Sequence, residues 1–287
     1  MTISAEAMKP PAKAADADFM GRFREVISDP LNLLIRRVPA AGTVDGSEVY
    51  LHNGNRVPLE GAGAYYGGFS QILVLNRGVH EPLEEYVFQE VLKNLPESPF
   101  MIELGAYWAH YSMWLKAVQP HSTVIMIEPD PGCLAAGRSN FSRNGYQGEF
   151  IQAAVGKGWW EADAFFGSRG LVHVDVLHAD IQGYEVEMLE GARTTLDRAA
   201  VDYLFISTHS QELHQQVVSR LGEHGYRVEV SSDFDNETTS YDGFVFASSP
   251  RATRVFGDFG FAGRTRIALS DANDLVEAVL KARRGSS

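Results

Sequence analysis

Four polar residues stand where short apolar runs stop: Glu103 in "PFMIELG", Glu128 in "STVIMIEPD", Asp180 in "LVHVDVLHADIQG" and His209 in "VDYLFISTH". Glu128 follows Glu103 by 25 positions, the length of one strand–helix–strand unit. An acidic group so placed accepts both ribose hydroxyl protons of an adenosine cofactor and repels a 2′-phosphate. The plainer alternative is that Glu128-Pro129-Asp130 only ends a strand. Gly105 lets the backbone pass close to a ligand with no Cβ in the way. Asp180, before the Gly183 turn, can hold a metal, position a hydroxyl or act as a base. It can also cap the helix opening near Tyr184. His209, as a neutral imidazole, would take a proton from an alcohol near pH 7, although lone histidines are commonly structural. Glu212 and His214 fall on the next helix and read as surface groups. "SSDFDNETTSYDG" offers Asp233, Asp235 and Asn236 as oxygen ligands for a hard cation such as Mg. An exposed acidic loop is the plainer reading of that stretch. Tyr107 and Trp108 fall in a loop that would face a ligand, and Tyr111 and Trp114 read as core.

These positions need a scaffold that brings strand ends together. From Pro99 onward, short apolar runs alternate with helical patterns: "YSMWLKAVQP", "PGCLAAGRSNFSRNG", "YEVEMLEGARTTLDRA" and "SQELHQQVVSRLGEHG". Such alternation predicts parallel strands covered by helices on both faces. "YRVEVSS" and "DGFVFASS" follow each other without a helix, which predicts an antiparallel pair at one edge. Ligands in such open sheets bind beyond the carboxyl ends of the strands, near the switch in strand order. Glu103, Glu128, Asp180 and His209 then share one rim. His173 and His178, alternating with apolar residues, read as structural. Earlier in the chain, residues 19–38 predict one or two short helices. "TVDGSEVYLHNGNRVPLEG" predicts a small hairpin, and "EPLEEYVFQEVLKNLP" an amphipathic helix stopped by Pro96. "SDANDLVEAVLKARR" predicts a last helix capped by Ser270.

The formal net charge of −12 argues against a nucleic-acid partner or a membrane surface, both of which call for Lys/Arg clusters. Cys133 is the only cysteine, so neither an internal disulfide nor a cysteine-rich metal site is available. The first residues lack the apolar region of a signal peptide, and no apolar run approaches the ~18 residues of a membrane span. A cytoplasmic protein is the expectation.

The stretches "FMIELGAYWAHYSMWLKA", "VIMIEPDP", "NFSRNG", "AAVG", "HADIQGYEVEMLEGA", "STHSQELH" and "TTSYDGFVFA" resemble the FkbM-type branch of the S-adenosyl-L-methionine (SAM)-dependent methyltransferases, over about residues 95 to 248. The resemblance implies an α/β fold of class I methyltransferase (Rossmann-like) type: a seven-stranded, mostly parallel sheet with a terminal antiparallel hairpin, here preceded by an N-terminal helical and hairpin extension. It implies O-methylation of a hydroxyl on a small metabolite or sugar-containing natural product. It places Glu103 and Gly105 at the methionine end of the cofactor, Glu128 at the ribose, Ala153 by the adenine and Asp180 at the reacting centre, with Tyr107 and Pro129 also expected at the cofactor. Asp180 or His209 would take the acceptor's proton. Alternatively a divalent cation held by Asp180, Asp233 and Asp235 would lower the acceptor's pKa; the ion-free version is preferred. Two departures stand out. Ala109 replaces a second glycine of the loop, and the stretch from Gly156 to Val174 is shorter than the family's, which carries an additional strand. The expected organisation is a tail at 1–17, an N-terminal segment at 18–95 acting as lid, substrate wall or dimer contact, a SAM-binding domain at 96–250 and a C-terminal extension at 251–287. Two other classes share the sheet. A nicotinamide-dependent oxidoreductase would carry a Gly-x-Gly-x-x-Gly loop, which is absent. A non-catalytic binder would not need Asp180 or His209.

Overall fold

The computed structural model describes residues 19–257 and 259–285; the expected tail at 1–17 lies outside them. Helix α1 (Phe19–Ser28) stops at Asp29-Pro30, where the Asp29 carboxylate caps a 3-10 turn (Pro30–Leu33) by accepting from the Leu31 N–H at 2.9 Å. Three short strands follow, β1 (Val44–Asp45), β2 (Glu48–Tyr50) and β3 (Arg56–Pro58), paired antiparallel in the order β1-β2-β3. The Asp45-Gly46 and Asn53-Gly54 signals thus make a three-stranded meander rather than one hairpin, each glycine being left-handed. Helices α2 (Gln71–Leu75) and α3 (Pro82–Val91) complete the segment.

The main sheet then forms in alternation: β4 (Phe100–Leu104), α4 (His110–Val118), β5 (Thr123–Ile127), α5 (Pro131–Arg143), β6 (Glu149–Ile151), α6 (Ala162–Arg169), β7 (Val174–Ala179), α7 (Glu185–Glu190), α8 (Arg193–Asp197), β8 (Val201–Thr208), α9 (Gln211–Glu223), β9 (Arg227–Ser232) and β10 (Gly243–Ser248). Its order is β6-β5-β4-β7-β8-β10-β9, parallel except that β10 runs antiparallel to both β8 and β9. The chain winds outward from β4 through β6 and returns to β7, so the switch in strand order lies between β4 and β7. Every residue of β7 is buried, as a strand covered on both faces must be. One face packs Phe88, Trp114 and Phe205 with the N-terminal segment. The other packs Ile102, Leu177, Leu189 and Val217 with α6–α9. Helices α10 (Arg264–Leu269) and α11 (Ala272–Gly285) close the described chain. No described helix is long and apolar enough to cross a membrane.

Several local expectations are corrected. α3 has no solvated face: all ten of its residues are buried. The Arg36 N–H reaches the Gln89 Oε1 at 2.7 Å from one side, and Tyr86 stacks on Phe259 of the C-terminal segment from the other. Residues 184–199 form two helices, interrupted at Gly191-Ala192. The short stretch between Gly156 and Val174 holds helix α6 and, among the described residues, only an isolated bridge between Val155 and Trp160 in place of an additional strand. α11 is capped by Asp271, whose Oδ1 accepts from the Asn273 and Asp274 N–H groups, rather than by Ser270. His173 precedes β7 and pairs with Asp202 at 3.0 Å.

Candidate active site

β4 delivers the chain into a loop of unusual backbone. Gly105 (φ +71°), Tyr107 (φ 41°) and Ala109 (φ 63°) are all left-handed. A Cβ on Gly105 would lie 1.7 Å from the Asp180 carbonyl oxygen, so this glycine is dictated by the crossing of β4 and β7 ends. Ala109, in place of the absent second glycine, adopts the glycine conformation regardless, at a cost of about 1 kcal/mol. The loop is fastened from β5. The Tyr107 N–H donates to Glu128 Oε2 at 3.1 Å and the Asp130 N–H to Oε1 at 2.9 Å. Burial raises the Glu128 pKa and these two donors pull it back. Each oxygen keeps a further lone pair for a ligand hydroxyl. Along the same rim, the Pro129 carbonyl accepts from Gln152 Nε2 at 3.3 Å, and Ala153 packs half-buried against the second core face. Glu103 is turned inward. Its Oε2 accepts from the Ser112 N–H at 3.1 Å in the first turn of α4, which gives it a capping role as well as a place in the cleft wall.

A narrow cleft opens above the ends of β4, β7 and β8. The sheet contributes Gly105, Tyr107 and Asp180, the N-terminal segment Tyr66 and Glu81, and the β9–β10 loop Tyr241 and Asp242; no Lys or Arg is among the described lining residues. His209 is the hub beside it. Its Nε2 lies 3.1 Å from Asp180 Oδ1 and 3.4 Å from Asp242 Oδ1, and its Nδ1 lies 2.7 Å from Glu185 Oε1. Burial alone would lower its pKa, but hydrogen bonds to Asp180 and Glu185 and the charge of Asp242 push it up to about 11. These neighbours favour the imidazolium form of His209 near pH 7, whereas a general base would need the neutral ring. The Gln182 amide nitrogen, 2.8 Å from Nε2 and 2.7 Å from Asp180 Oδ1, suits a neutral ring instead. Three carboxylates outweigh one amide, and an amide can turn its oxygen to the ring.

A second strongly shifted group lines the cleft itself. Burial pushes Glu81 up to about 8; nearby His80 opposes the shift, and Glu84, Asp180 and Asp242 add to it. Its Oε2 accepts from the Tyr111 hydroxyl at 3.0 Å. His178, buried on β7 at the cleft wall, is bonded to Glu84 Oε1 at 2.5 Å. His214 is not a surface group: it is buried, bridging Thr208 and Ser231 at 2.9 and 2.8 Å. Asp233 and Asp235 do not gather with Asp180. Asp233 Oδ1 instead folds its own loop by accepting from the Asn236 and Glu237 N–H groups at 2.6 and 3.1 Å. Asp180, His209 and Asp242 do bring donor atoms within 4.8 Å of one another, with His209 Nε2 facing both carboxylates at 3.1 and 3.4 Å.

Glu81, Asp242, Glu185 and Gln182 escaped the sequence reading. Asp242 was legible only through strand register, since Gly243 pairs with Thr208 and so sets Asp242 beside His209. Glu81 belongs to "HEPLEEY", whose three carboxylates resemble any acidic helix start.

The sheet order, the fastened loop after β4 and the carboxylates at β5 and β7 define a class I SAM-dependent methyltransferase fold. Within it, residues 161–228 match the family described as the methyltransferase FkbM domain. Solved structures of similar fold include precorrin-6y C5,15-methyltransferase from Geobacter metallireducens GS-15 (17% identity, TM-score 0.41, covering 57% of this chain and 88% of that one). TrmK of M. capricolum in complex with S-adenosyl-homocysteine is another (14%, 0.41, 60% and 71%), as is a SAM-dependent methyltransferase from Aquifex aeolicus (16%, 0.39, 57% and 88%). No curated protein matches the chain.

Proposed function

We propose that the protein transfers the methyl group of SAM to a hydroxyl oxygen of a small, uncharged, polar metabolite, with Glu81 as the base. The observation that carries this reading is the Glu81 carboxyl, poised near pH 8 and lining the same cleft as Asp180 and Asp242, with no Lys or Arg among the described lining residues. Bound there, SAM supplies a methyl group already activated as a sulfonium. Glu128 would hold the ribose with Pro129 beside it, Ala153 would lie by the adenine, and the backbone from Gly105 to Ala109 would receive the amino-acid end. An acidic cleft favours a cationic cofactor and disfavours an anionic acceptor. Asp180 and Asp242, held by His209, accept hydrogen bonds from acceptor hydroxyls and align one of them. Glu81 then takes the proton of the reacting hydroxyl, while the Tyr111 hydroxyl orients the receiving carboxylate. Tyr66 and Tyr241 wall the cleft against water. A base whose pKa lies near the working pH is the efficient one.

The test is Glu81→Gln, assayed by S-adenosyl-homocysteine release over a panel of hydroxylated acceptors. We expect SAM affinity to persist and turnover to fall by about 10²–10⁴-fold. In the unsubstituted protein the rate should rise with pH through about 8, and that rise should vanish in the variant. Unchanged turnover would remove Glu81 from the reaction.

A further inference from the structure

We propose a second site, separate from the cleft chemistry: a divalent transition metal of the zinc class held by His52, Glu85 and His110. The three come from separate parts of the chain: the β2–β3 connection, α3 and the first residue of α4. All are sealed from solvent, at 1%, 0% and 2% exposure. Yet neither ring nitrogen of His110 has a hydrogen-bond partner, and neither does Glu85 Oε2; the His52 ring is in reach of the Arg36 backbone. Buried polar atoms are rarely left so. The two nitrogens of a ring point apart, so one nitrogen from each histidine and the Glu85 carboxylate face a common point, and the three are shaped to receive something there.

The spacing suits a tetrahedral ion. Zinc bonds of ~2.0–2.1 Å at the tetrahedral angle separate ligand atoms by about 3.4 Å. His52 Nε2 lies 3.5 Å from Glu85 Oε2, and His110 Nε2 lies 3.5 Å from Glu85 Oε1. One donor atom from each residue falls within 4.8 Å of the others. Two imidazoles and one carboxylate are a donor set that zinc takes readily. The surroundings fix the ligands, as outer partners of metal sites do. His80 places its Nδ1 at 2.6 Å and its backbone N–H at 3.1 Å from Glu85 Oε1. The His52 ring packs edge-on against Trp114 at 4.3 Å. A Cβ on Gly78 would lie 2.1 Å from the His52 nitrogen, so the turn at Gly78 seats the His52 backbone. The ion would pin the N-terminal segment to the helix that begins directly after the cofactor loop.

The full chain, stripped with a chelator and dialysed, is titrated with zinc and separately with cobalt. We expect uptake of one equivalent of zinc, a higher melting temperature with the metal bound, and the intense visible bands of tetrahedral cobalt. His52→Gln should weaken zinc binding by roughly 100-fold or more, at least the loss caused by removing an outer partner. Asp242→Asn, at the other cluster, should leave zinc affinity unchanged. Lack of stoichiometric uptake by the folded, unsubstituted protein would overturn the proposal whatever the variants do. So would an octahedral cobalt spectrum, or zinc binding that survives His52→Gln and is lost in Asp242→Asn.

Discussion

His209 shows how far a residue's environment can reverse its chemistry. As an isolated histidine it titrates near 6.5, and as the neighbour of Asp180, Glu185 and Asp242 it holds its proton to about pH 11. A folded-state pKa above the unfolded value means stability that is fully present below about pH 6.5 and lost as pH rises through about 11. An NMR titration of the imidazole should therefore show the charged ring at pH 8. The decline in melting temperature from pH 7 to 10 should be smaller in His209→Gln than in the unsubstituted protein. A ring that titrates near 6.5 would refute the assignment. Placement at the rim was legible wherever a polar side chain follows an apolar strand, as for Glu128 and Asp180. It was not legible for Glu81, because its shifted pKa comes from burial beneath segments far away in sequence.

At the scale of the element, the loop after β4 carries the argument. Its single glycine is where the backbone of β7 leaves no room for a Cβ, and its alanine is where a glycine would relieve strain. Gly105→Ala should cost on the order of 4 kcal/mol or leave no folded protein, because the obstacle is a backbone carbonyl that cannot swing away. Ala109→Gly should fall within about 1 kcal/mol of the unsubstituted protein, since relief of the left-handed conformation offsets the greater freedom of the unfolded chain. Urea denaturation midpoints of the two variants check both. Apolar runs and helix stops made the seven strands and α9 readable. α3 was misread because its pattern shows an acidic face, and only tertiary cover reveals that this face is internal. α6 was missed because "EADAFFGSR" has weak periodicity.

At the scale of the molecule, the sheet is roofed by pieces that the sequence keeps apart. Thr239 of the β9–β10 loop donates to Asp29 at 2.6 Å, and Tyr241 packs edge-on against Phe69. At the far side, fully buried Phe256 joins Tyr86, Phe246 and Phe259. Phe256→Ala should destabilise the protein by about 3–5 kcal/mol. The unfolding transition should stay single, by circular dichroism and tryptophan fluorescence alike, if the C-terminal segment folds with the sheet. Two separated transitions would show that it does not. The class of sheet was plain from strand–helix alternation, whereas the roof depends on contacts between residues 29 and 239 or 86 and 259, which no local pattern announces.

The contact between Gly105 and the Asp180 carbonyl also has a thermodynamic corollary. The two halves of the cleft abut with no slack, so an acceptor that shifts Asp180 must shift the cofactor loop with it. Whatever factor the acceptor applies to SAM affinity, SAM applies in equal measure to acceptor affinity. Any such coupling would run through a contact so close that a single added methyl group could not be fitted into it.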